Sequence, residues 1–134
     1  MNKKSFFIPG APPPIGPYTP AILANDTLYI SGQVAINSET GLLITNSIEE
    51  ATNQILKNIT TLLGEANMTL ANVVKCTIFM IDLNEFQQMN TVYASYFKEL
   101  PPARETVQVS QLPMNATLEI SCIAVKWIQK QIPY

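Results

Sequence analysis

Two stretches of the chain repeat apolar residues every three or four positions. From about Ser47 to Asn67, the residues Ile48, Ala51, Ile55, Ile59, Leu62 and Ala66 fall on one face of a helix. Ser47 and Glu50 stand three apart at its start, the spacing at which a capping box satisfies orphan N–H groups. From about Glu85 to Leu100, a second stripe runs through Phe86, Met89, Tyr93, Tyr96, Phe97 and Leu100. Pro101 and Pro102 bring it to a stop. Both stripes read as core-facing sides of amphipathic helices.

The other apolar segments lack that period and are rich in β-branched and aromatic residues. "TLYISGQV" (27–34), "VVKCTIFMI" (73–81), "ETVQVSQ" (105–111) and "TLEISCIAVKW" (117–127) predict strands, and "SFFI" (5–8) is a further candidate. "NSETGLL" (37–43) predicts a turn with Gly41 at positive φ, and "NMTLANV" a loop. Strands interleaved with two helices predict one α+β domain over residues 1–134, a mixed sheet with both helices on one face. In the last strand Leu118, Ile120, Cys122 and Ala124 point one way. Ile123, Val125 and Trp127 follow Glu119 and Ser121 on the other side. Both faces are largely apolar, so the face without helices is predicted to pack against other copies of the chain.

Composition narrows the partners. The 134 residues are 47% hydrophobic and carry eight basic against ten acidic side chains, the balance of a packed domain with no basic footprint for nucleic acid. No apolar run approaches the ~18 residues of a membrane span. The basic start, "MNKKSFFIPG", is cut by proline before it could serve as a signal peptide, so a cytoplasmic protein is expected. Cys76 and Cys122 sit in apolar strands and are expected as buried free thiols. The chain contains no histidine, which excludes Ser-His-Asp and Cys-His catalysis and the common His-containing zinc sites.

One residue is conspicuous. Arg104 is the only arginine, placed just after two prolines at the start of an alternating segment. Strand alternation puts Arg104, Thr106 and Gln108 on one face and Glu105, Val107 and Val109 on the other. A fixed guanidinium grips a carboxylate bidentately, which lysine cannot do. On this segment alone, an ordinary surface ion pair with Glu99 or Glu105 stands as an equal alternative.

"PPIGPY" (13–18), "YISGQV" (29–34), "DLNEF" (82–86), "NTVYASYF" (90–97), "PARETVQV" (102–109) and "LPMNATLEISCIAV" (112–125) closely resemble the RidA family, also called YjgF/YER057c/UK114. The match is colinear from about residue 8 to residue 127. The resemblance implies a chorismate-mutase-like α+β fold and a homotrimer with clefts between subunits. It also implies hydrolysis of reactive enamines and imines such as 2-aminoacrylate to 2-keto acids and ammonia, without metal or cofactor. Its site residues map here onto Arg104 as the carboxylate anchor and Glu119 as the group that positions or activates water. Tyr18, Ser31, Gly32, Asn90 and Thr106 map onto the cleft lining, with Gly32 serving backbone geometry in the first place. Thr106 stands where many members have cysteine, and Glu105 where many have a small residue. A carboxylate next to Arg104 could weaken substrate binding unless it faces away. Two alternatives to the deaminase are a non-catalytic trimer that binds small carboxylates and a translation-regulating or chaperone-like member of the family.

Overall fold

A computed structural model describes residues 2–126. Six strands form one sheet: β1 (Lys3–Phe6), β2 (Ala21–Ala24), β3 (Thr27–Gln33), β4 (Val73–Met80), β5 (Ala103–Gln108) and β6 (Leu118–Val125). Their order is β1-β2-β3-β6-β4-β5, and every neighbouring pair is antiparallel except β4 and β5. Helix α1 (Ile48–Glu65) links β3 to β4, and α2 (Phe86–Tyr96) makes the crossover that the parallel pair β4–β5 requires. The architecture is the mixed α+β sheet with two helices that the sequence predicts.

Local chemistry sets the ends of α1. The Ser47 hydroxyl accepts a hydrogen bond from the Glu50 N–H, which is half of the expected capping box, and Glu49 and Glu50 face the positive end of the helix dipole. At the other end Asn67 takes the left-handed conformation (φ 57°). Its N–H donates to the Gly64 carbonyl at 3.0 Å, and the Met68 N–H donates to Leu63 at 2.8 Å. These are the paired bonds of a Schellman cap.

Ile48, Ala51, Ile55, Ile59 and Leu62 of α1 are buried together with Leu28, Ile30, Ile78, Met80, Leu118, Ile120, Cys122 and Ala124 of the sheet. The two helices pack against each other and cover this face. Glu119, Ser121, Ile123 and Val125 of β6 lie on the opposite face, half-exposed, beside Lys75, Thr77 and Phe79 of β4 and Val107 of β5. Trp127 lies outside the described residues. Cys76 and Cys122 are free, buried and paired across β4 and β6.

Five expectations need correction. Strand β2, "AILA", was not predicted, because four apolar residues with no alternation carry little strand signal beside the prolines around it. The first strand spans Lys3–Phe6 rather than 5–8, and β5 spans Ala103–Gln108 rather than 105–111. "NMTLANV" contains a 3-10 turn at Leu70–Asn72 that Thr69 caps. The second helix stops at Tyr96, not Leu100. Phe97 leaves the helix to enter the core against Tyr93, and Leu100 turns through φ 30° ahead of Pro101. Leu100 is therefore no part of the buried stripe; it is 95% exposed.

Candidate functional site

Strand alternation divides the candidate residues between two places. Arg104 lies on the helix-covered face of β5, in the row Arg104–Cys76–Cys122 across three strands. Its Nη1 donates a 2.7 Å hydrogen bond to Asn90 Oδ1 of α2. Its guanidinium carbon lies 4.9 Å from the Tyr93 ring centroid and 5.6 Å from that of Phe86, both on α2. Thr106 follows two residues on along the same face, its hydroxyl buried and without a hydrogen-bond partner. The Tyr93 hydroxyl is also buried and unpartnered, and burial pushes its pKa well above the ordinary tyrosine range.

Glu105 faces away from Arg104. Its carboxylate accepts hydrogen bonds from Lys75 Nζ and Thr77 Oγ1, each at 3.1 Å, on the open face of the sheet. The Lys75 ammonium, helped by Thr77, lowers the Glu105 pKa. Neither Glu105 nor Glu99 pairs with Arg104 among the described residues, so the surface ion pair that stood as an alternative is absent there.

The second place surrounds Glu119. β3 carries one extra residue between Ile30, opposite Cys122, and Gln33, opposite Ile120. This bulge displaces Ser31 and Gly32 out of the regular ladder, as bulges beside binding sites do. The Ser31 hydroxyl donates to the Thr19 carbonyl at 2.6 Å and its N–H donates to Pro20, which ties down the loop that carries Tyr18. Gly32 is needed for space. A Cβ there would lie 2.9 Å from Glu119 Cγ and overlap the carboxyl group. Tyr18, Ser31, Gly32 and Glu119 line a cavity of about 730 Å³ whose walls also include Ile15, Val34, Pro113 and Met114. Partial burial raises the Glu119 pKa above that of an ordinary glutamate.

Within one chain the two places do not meet. Glu119 shares its row with Phe79 and Val107, so Arg104 is two strands away, roughly 10 Å, and about three residues along, another ~10 Å. The side chains also leave opposite faces of the sheet. The structure thus groups Arg104 with Asn90 and Thr106, and Glu119 with Tyr18, Ser31 and Gly32.

Residues 9–126 match the family model described as Endoribonuclease L-PSP. The chain belongs to the RidA family. A human relative named 2-iminobutanoate/2-iminopropanoate deaminase is 40% identical over 116 residues, covering 87% of this chain and 85% of that protein. The solved structure of YyfA from Yersinia pestis, described as a Rid-family protein of unknown function, is 47% identical. It superposes with a TM-score of 0.89, covering 93% of this chain and all of the other. TdcF of E. coli, solved with bound serine, is 31% identical with a TM-score of 0.87, covering 92% and 99% of the two chains.

Phe86 and Tyr93 were legible only as core residues. Their spacing to Asn90, four residues after the first and three before the second, puts all three on one helical face. That common face was the available signal. Among the described residues no cluster of metal-ligating side chains is present, and no helix is long and apolar enough to cross a membrane.

Proposed function

We propose that this RidA-family chain is an imine and enamine deaminase that works without cofactor, in a homotrimer whose sites lie between subunits. The observation that carries the reading is the division of the candidate residues between opposite faces of one sheet. A carboxylate anchor and a water-positioning carboxylate separated in this way can serve one substrate only when a second copy brings its Arg104 to the Glu119 cavity. The half-apolar face without helices gives such a copy a surface to pack on. The human relative's name supports the reaction, and the serine bound to TdcF supports a ligand with a carboxylate.

In this reading Arg104 of one subunit grips the substrate carboxylate through its guanidinium, beside Thr106. The enamine tautomerises to an imine, whose carbon is the electrophile. Water oriented by Glu119 of the neighbouring subunit adds to that carbon, and the carbinolamine expels ammonia to leave a 2-keto acid. Holding substrate and water together removes several kcal/mol of barrier. Glu119, its pKa raised by burial, is suited to taking and returning the proton. Eight basic residues against ten acidic ones favour small carboxylates over RNA, despite the endoribonuclease description of the family.

The test generates 2-aminoacrylate in situ and follows pyruvate. Arg104→Ala and Glu119→Ala chains should each be inactive alone. Unfolded and refolded together, they should regain activity, since a mixed trimer can pair an intact Arg104 with an intact Glu119. Wild type that adds nothing to the spontaneous rate refutes the enzyme. Active wild type with no recovery on mixing refutes the shared site. Keto acids that raise Tm without turnover point instead to a carboxylate-binding trimer.

A further inference from the structure

Arginine on an exposed strand has rotamer freedom to lose before it can act as a fixed fork. Here α2 surrounds the guanidinium with three residues of one stripe, Phe86, Asn90 and Tyr93. Asn90 engages Nη1, and among the described residues Nε and Nη2 have no hydrogen-bond partner. The Tyr93 ring is anchored in turn. It is 5% exposed, and its centroid lies 4.7 Å from that of Phe97 in the core. The stack therefore runs from the hydrophobic core through Tyr93 to the guanidinium.

We propose that Phe86 and Tyr93 are positioning residues for Arg104: their rings hold the guanidinium in one orientation and present its free Nε and Nη2 groups to a carboxylate. Both centroids lie within the roughly 6 Å over which a cation and an aromatic face attract each other, and the attraction grows when water is excluded. Their contribution is to binding. The orientation is needed equally by substrate and transition state, so its loss appears in KM rather than in kcat. In this role the Tyr93 hydroxyl is dispensable and the ring is not.

The chain offers an unusual means of checking this, because Arg104 is its only arginine. Protein grown with ¹⁵N,¹³C-labelled arginine gives one guanidinium signal, and ring currents from two nearby faces should displace its Hε resonance upfield from that of an unstacked arginine. Tyr93→Phe should keep the displacement and the wild-type KM. Tyr93→Leu and Phe86→Leu should shift the resonance back and raise KM about tenfold, with kcat within about twofold, the equivalent of a cation–π contact between its exposed and desolvated limits. If Tyr93→Leu does not fold, Phe86→Leu, at a partly buried position, carries the comparison. The resonance moves whenever a ring is removed, so KM is the deciding readout: a merely structural role would lower Tm and leave KM in place.

The kinetic half rests on the deaminase reading, and the resonance does not. If wild type proves inert, that reading falls, and dissociation constants for pyruvate, read from the same signal, replace KM. An unstacked wild-type resonance overturns the proposal. So does unchanged carboxylate affinity in both leucine variants, or a Tyr93→Phe variant as impaired as Tyr93→Leu.

Discussion

Gly32→Ala adds one methyl group at the point where β3 bulges under Glu119. The added Cβ would lie 2.5 Å from the glutamate's carboxyl carbon, where ordinary carbon contacts begin near ~3.5 Å. The carboxyl group must therefore move by about 1 Å. Backbone strain plays no part, since Gly32 is not among the positive-φ residues. Alanine should gain ~0.4–1 kcal/mol from the unfolded chain, and a glutamate pushed off its rotamer costs about 0.5–1.5 kcal/mol. These nearly cancel, so Tm should stay within roughly 4 °C of wild type. Activity should not. A misplacement of about 1 Å costs on the order of 100-fold, or about 2.7 kcal/mol of barrier, and it should appear in kcat. The assay is pyruvate formation from 2-aminoacrylate generated in situ, alongside a thermal melt. If kcat stays within about fivefold of wild type, Glu119 does not depend on its present position for the reaction. A Tm drop beyond about 10 °C would mean that the backbone, not the glutamate, yields to the methyl.

Four further outcomes follow from the same geometry. Arg104→Lys should lower kcat/KM about 30- to 100-fold in that assay, because an ammonium cannot reproduce the planar fork beside Asn90. The acid limb of the kcat profile should have a midpoint above the ordinary glutamate value, because burial raises the Glu119 pKa and only its ionised form accepts the proton; Glu119→Gln should remove that limb with most of the activity. Glu105→Gln should leave KM within about twofold, because that carboxylate engages Lys75 and Thr77 across the sheet from Arg104. Gly64→Ala should raise stability by ~0.8 kcal/mol without changing the kinetics, since a Cβ there meets open space in the last turn of α1; urea unfolding measures it.

What the sequence made legible follows the range of each physical cause. Helix α1 was readable to within a residue or two because its stripe and its Ser47 cap are both local. The direction of Glu105 was readable too, since alternation along a strand is local, and its partners Lys75 and Thr77 lie on the face away from Arg104. Strand β2 was not readable. "AILA" becomes a strand only because β1 and β3 pair with its two edges, and nothing in four residues announces those partners. The early end of α2 was hidden for a similar reason: Phe97 fits the helical spacing, but the space beside Tyr93 draws it out of the helix.

The site shows the same limit at a larger scale. Motif resemblance placed Arg104 and Glu119 together as parts of one chemistry, and their sequence separation, 15 residues, gave no reason to doubt proximity. Pairing through β4 turns that separation into two strands and two faces. Neither residue lacks local support. Arg104 has α2 beneath it, and Glu119 has the bulge at Gly32 that makes room for it. Each half is thus built independently, which is what a site divided between identical subunits requires. In the proposed trimer the one guanidinium of each chain serves the neighbour's cavity.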